Sequence, residues 1–135
     1  MTTERHFTPE EVDALIPRLA EIVERAMEHH RQAAALQRHL HEEKIRIRES
    51  GGGLIDQRDW KARAERLDGL AIEVREALQA ISDLGGVTKD LEMGLVDFPG
   101  LVDGETVNLC WKYGETAVRF WHGLDEGYAY RKPLP

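Results

Sequence analysis

The chain has 135 residues, 32% of them charged and 41% hydrophobic, with a formal net charge of -7. That length suits a single domain, since two cores would leave each half too small for burial to offset chain entropy. The apolar runs are only a few residues long, which excludes a helical membrane span, and the acidic balance opposes general nucleic-acid binding, where Lys and Arg dominate.

The first element starts at Phe7-Thr8-Pro9-Glu10-Glu11-Val12. Thr8 can cap a helix, Pro9 suits its first position, Glu11 completes a capping box, and Phe7 with Val12 can close a hydrophobic staple. Val12, Leu15, Ile16, Leu19, Ile22, Val23, Ala26 and Met27 then recur every three or four residues, one apolar stripe on a helix over 7–49. Pro17 interrupts it and predicts a kink or a short preceding helix. Ser50-Gly51-Gly52-Gly53 is a flexible break, read as a hairpin turn. Asp56 can cap a second helix over 56–85 with the stripe Trp60, Ala64, Leu67, Leu70, Ala71, Val74, Leu78 and Ile81, ending at Gly85-Gly86. Two such helices joined by a short loop must run antiparallel. Their excess length over what a small domain needs predicts self-association, a homo-oligomer formed through the helical stripes.

Residues 31–66 depart from the acidic balance, with nine basic against six acidic side chains. Interleaved charges of this kind read as a solvated helix surface with mixed ion pairs, the other reading being a docking surface for something acidic.

After Gly86 the period becomes two. Leu95 to Phe98 reads as a strand, Pro99-Gly100 and Asp103-Gly104 as turns, and Thr106 to Tyr113 as a second strand with Val107, Leu109, Trp111 and Tyr113 on one face and Thr106, Asn108, Cys110 and Lys112 on the other. A third strand, 117–122, alternates Val118, Phe120 and His122 against Ala117, Arg119 and Trp121. The fold class expected is therefore α+β: a long antiparallel two-helix hairpin, then a three-stranded antiparallel β-meander over 94–122, then a tail over 123–135. The apolar face of the meander should pack on the base of the hairpin.

No motif spells out a reaction. His29, His30, His39 and His41 lie on the first helix, but none has a carboxylate three positions before it, so they do not form a helix-borne metal set; His30, in line with Leu19, Val23 and Met27, reads as a core or helix-contact histidine. Cys110 is the single cysteine, which excludes an internal disulfide and a multi-cysteine zinc site and, with no secretory pattern in Met1 to Phe7, suits a cytoplasmic address. With no helix N-terminus or fixed cation predicted beside it, it is not expected to be a reactive thiolate. Ionisable groups gather among aromatics in the C-terminal half. Asp97 interrupts an apolar strand and His122 follows Phe120-Trp121, so either one, if it faces inward, must be paired or shift its pKa.

The blocks Lys89-Asp90-Leu91, Gly94-Leu95-Val96-Asp97-Phe98-Pro99, Leu109-Cys110-Trp111, Gly114-Glu115, Trp121-His122 and Gly127-Tyr128 with Arg131 resemble a prokaryotic family, domain of unknown function 2203. Phe7-Thr8, Glu10-Glu11 and Leu15-Ile16-Pro17 are similar to its N-terminal helix. The resemblance supplies no activity; it implies that a site would be sought around Lys89, Asp90, Asp97, Glu115, His122 and Arg131. Two readings follow. In one, these residues bind a small polar or anionic ligand or a divalent metal at the junction of sheet and helices, with Asp97, Glu115 and His122 as metal ligands. In the other, the protein is a non-enzymatic interaction or structural module that self-associates through its hairpin.

Overall fold

A computed structural model of the chain describes residues 5–51 and 56–135. The first helix, α1, runs Pro9–Glu49. Its start is the capping box expected: the Thr8 hydroxyl accepts from the Glu11 amide at 3.1 Å and the Glu11 carboxylate accepts from the Thr8 amide at 3.0 Å. The helix passes through Pro17 without ending. A proline inside a helix costs about 3 kcal/mol, and the buried stripe Val12, Ile16, Leu19, Val23 and Ala26 around it outweighs that, since each large apolar side chain removed from water contributes about 1.5–3 kcal/mol.

The second helix, α2, runs Gln57–Leu84. Asp56 caps it by accepting from the amides of Arg58 and Asp59, both at 3.1 Å. Gly85 ends it in the left-handed region at φ 100°, where L side chains are strained. Gly86 is required for another reason: a Cβ there would lie 2.7 Å from Val96 Cγ1 and 3.0 Å from the Phe98 ring, so helix and sheet meet at a point where only glycine fits. Of the predicted turn, Ser50 and Gly51 cap α1, while Gly52 and Gly53 lie outside the described residues.

The sheet has five strands rather than three: β1 Val87–Asp90, β2 Leu95–Val102, β3 Glu105–Lys112, β4 Phe120–His122 and β5 Lys132–Pro133, antiparallel and adjacent in chain order. The two unexpected members are edge strands. β1, Val-Thr-Lys-Asp, has no apolar alternation, and β5 is two residues long and includes a proline, which only an edge tolerates. The expected third strand shortens to Phe120–His122 because the preceding stretch leaves the ladder. Val118 enters the core and its amide donates to the Asp13 carboxylate of α1 at 2.8 Å, while Trp121, not His122, shares the core side of β4.

One face of the sheet, with Val96, Phe98, Val107, Leu109 and Trp111, packs against Val12, Ile16, Leu19, Val23 and Ile81 of the hairpin. Phe7 is stitched to the sheet by its amide donating to Pro99 at 2.7 Å, and its ring meets Phe98 edge-on at 5.2 Å. Among the described residues no helix is long and apolar enough to cross a membrane.

Candidate functional site

The opposite face of the sheet holds the polar groups. A two-residue turn at Asp103-Gly104 sets the β2–β3 register, so Asp97 pairs with Cys110, and the β3–β4 register pairs Cys110 with Phe120 and Asn108 with His122. Since side chains alternate across a strand, Asp97, Cys110 and His122 emerge side by side on the face away from the helices. Asp97 and His122, expected at the junction of sheet and helices, therefore stand on the far side of the sheet, because Phe98, Leu109, Trp111 and Trp121 take the helix-facing positions.

The segment 123–131 covers this outer face. Glu126 clasps it: its carboxylate accepts from the Gly123 amide at 2.7 Å and from Lys132 at 2.8 Å, and the Lys132 ammonium and this backbone donor hold its carboxyl below the usual range. Arg131 lies over the Phe120 ring at 4.0 Å and the Tyr128 ring at 4.9 Å. Beneath this cover Asp97 is 2% exposed, Cys110 1% and His122 3%.

The donor atoms of Asp97, Cys110 and His122 all lie within 4.8 Å of one another, the sole such three-residue set of potential metal ligands among the described residues. The His122 ring is oriented from behind: Nδ1 is 2.9 Å from the Gly123 carbonyl. A carbonyl only accepts, so Nδ1 carries the proton and a neutral ring presents its lone pair from Nε2. Nε2 approaches Asp97 Oδ2 at 3.0 Å, yet neither carboxylate oxygen makes a hydrogen bond of acceptable geometry. Proximity without alignment is a weak hydrogen bond at best, because the interaction falls steeply as the donor angle closes. Burial, and next the Asp97 charge, push the Cys110 thiol up to about 12, so without a cation beside it the group is a neutral thiol and not a nucleophile.

Of the other expected site residues, Lys89 on β1 lines the same hollow of about 120 Å3, with Asn108, Leu124 and Tyr128 among its walls. Asp90 does not; its carboxylate accepts from the amides of Glu92 and Met93 at 2.8 and 3.0 Å and shapes the β1–β2 turn. Glu115 is also engaged elsewhere. It accepts from the Lys112 amide at 2.7 Å and pairs with Arg131 at 2.6 Å, so it does not join Asp97 and His122, and Cys110 stands where it was expected. Arg131 is thereby committed to pinning the covering segment. A larger crevice of about 510 Å3 lies near the hairpin tip among His39, Glu42, Glu43, Asp59 and Arg63, on exposed helix surface where Arg63 bridges Glu43 at 2.5 Å and Asp59 at 2.9 Å. His30 is half-buried beside the β1–β2 turn and not part of the core.

The profile of a family described as an uncharacterized conserved protein, DUF2203, matches residues 5–134. The chain belongs to the DUF2203 family. No curated protein and no solved structure matches it. Three blocks that carry the DUF2203 resemblance, Gly-Leu-Val-Asp-Phe-Pro, Leu-Cys-Trp and Trp-His, are the segments that bring Asp97, Cys110 and His122 to one spot.

Proposed function

We propose that this DUF2203 protein is a divalent-metal binding module whose ligands are Asp97, Cys110 and His122. The observation that carries the reading is the buried Asp97 carboxylate with no hydrogen-bond partner, set against an imidazole whose outer nitrogen donates to a backbone carbonyl. An unpartnered buried carboxylate is costly, and an imidazole steered through its far nitrogen is how proteins present a histidine to a metal. A cation between the three groups answers both, and it converts the raised thiol into a thiolate ligand. Sulfur, imidazole and one carboxylate suit zinc, and after it cobalt, iron or nickel, and disfavour magnesium, calcium and manganese. The competing account is a structural imidazolium–carboxylate pair, which the misaligned approach of Nε2 to Oδ2 disfavours. Elemental analysis of protein made without a histidine tag tests the choice. About one transition-metal ion per chain is expected, lost in Asp97→Ala and His122→Ala; metal-free native protein whose melting is insensitive to added zinc, cobalt and nickel would overturn it.

A second reading has its own observation. The buried residues of α1 end at Ala26, although the helix continues to Glu49, and those of α2 are Leu70 and Ile81, so among the described residues the outer hairpin has few buried side chains of its own. At 41 residues α1 is about 60 Å long, and Ile45 and Ile72 stand exposed on it and its partner helix. Two copies pairing through these stripes as a homo-oligomer would bury them; sedimentation over a hundredfold dilution would show dissociation, and a monomer at every concentration would remove the idea. The free thiol suits a reducing compartment, and the cytoplasm is the proposed location.

A further inference from the structure

We infer that the centre keeps one coordination position for a small monoanionic ligand, and that Lys89 supplies the charge that holds it. This rests on the metal reading above. Three protein donors leave a tetrahedral cation one position short, the arrangement of sites that bind an exchangeable ligand and not of purely structural ones. Among the described residues the two nearby carboxylates are engaged elsewhere: Glu126 is bound by Lys132 and the Gly123 amide, and Glu115 is bound by Arg131. The vacant direction therefore belongs to the hollow of about 120 Å3 that Asp97, Cys110 and His122 share with Lys89, Asn108, Leu124 and Tyr128.

Charge bookkeeping then selects the ligand. A dication with one carboxylate, one thiolate and a neutral imidazole is neutral overall. Arg131 with Glu115, and Lys132 with Glu126, are self-compensating pairs. Lys89 lines the hollow and makes no ion pair with the described residues, which leaves one positive charge beside the open position. Lys89 is exposed on the edge strand β1 and forms part of the wall of the hollow, where a long side chain can keep its charged end in water while its stem lies along apolar surface. Opposite charges attract at either partner, so a monoanion gains from both the metal and the ammonium, whereas a neutral ligand of the same shape gains from the metal alone. The volume equals that of about four liquid waters, enough for an acetate-sized carboxylate or an azide ion and too small for a nucleotide or a sugar phosphate.

The test uses the full-length protein loaded with cobalt(II), whose visible absorption reports coordination and whose thiolate ligation gives a near-ultraviolet charge-transfer band. Saturable changes in the visible bands are expected on titration with acetate and with azide, and none with acetamide. Lys89→Met should weaken anion binding about tenfold at unchanged cobalt stoichiometry, and Lys89→Arg should restore it to within about threefold. A cobalt protein with the thiolate band whose spectrum ignores both anions overturns the inference and leaves the metal reading standing, as does a Lys89→Met variant that titrates like the wild type. Absence of the thiolate band removes the metal reading, and this inference with it.

Discussion

Replacing Asp97 by Asn separates a metal ligand from a structural ion pair by the sign of its effect. In the metal-free protein the carboxylate is 2% exposed with no hydrogen-bond partner, a burden of about 1–3 kcal/mol for an unsatisfied buried polar group and more for a charged one. Asn has the same shape, carries no charge, and offers an amide N–H to His122 Nε2 at the 3.0 Å approach already present. Metal-free Asp97→Asn is therefore expected to be more stable than metal-free wild type by about 1–2 kcal/mol, which for a domain of this size raises Tm by roughly 3–8 °C. Metal inverts the order. At a zinc concentration about a hundred times Kd the wild type gains about 2.7 kcal/mol, and the variant, lacking a ligand, gains little. Calorimetry of both proteins after chelation and after zinc addition reads all four states. If the pair were a salt bridge made for stability, removing one charge would strand the other and cost about 3–5 kcal/mol in the metal-free state; a variant that melts lower by such an amount, with zinc moving neither protein, refutes the reasoning.

Cys110 predicts a pH dependence of the metal-free fold. Its folded pKa, about 12, lies above the ordinary value of 9.0, so the unfolded chain loses this proton first. The associated stability is fully present below pH 9 and is lost as pH rises from there toward 12; urea titrations of wild type and Cys110→Ser should diverge in that window and run parallel below it. Glu115→Gln breaks the pair with Arg131, whose side chain is 10% exposed, and is expected to cost about 2 kcal/mol by denaturant melts while leaving one metal per chain. Loss of metal in that variant would return Glu115 to the ligand set.

The helices were legible because each is specified twice, by a cap and by a stripe: Thr8 with Glu11 and Asp56 mark the starts, and Val12 through Ala26 and Leu70 through Ile81 carry the burial. β2 and β3 were legible from alternation. β1 and β5 were not, since an edge strand needs no apolar period and is defined by the neighbour it borrows. Asp97 and His122 stood out in the sequence as polar groups among apolar ones. Cys110 falls on the polar face of its strand, but as the single cysteine with no cation predicted beside it, it does not read as a ligand beside them. A signal was present nonetheless: a two-residue turn at Asp103-Gly104 makes the residue six before Asp103 face the residue six after Gly104, and those are Asp97 and Cys110. The cover over Asp97, Cys110 and His122 could not be read, because it depends on segment 123–131 folding back over the sheet, and nothing in its period announces that.

The peptide at Gly123 performs two tasks at once, steering the imidazole through its carbonyl and anchoring the Glu126 clasp through its amide. Strain applied at Lys132–Leu134, whether by a fused affinity handle or a tethering surface, is expected to reach the imidazole through the clasp. A tag at residue 135 should therefore alter the surroundings of His122 more than one at the other terminus, which the His122 NMR resonances of the two tagged forms would compare.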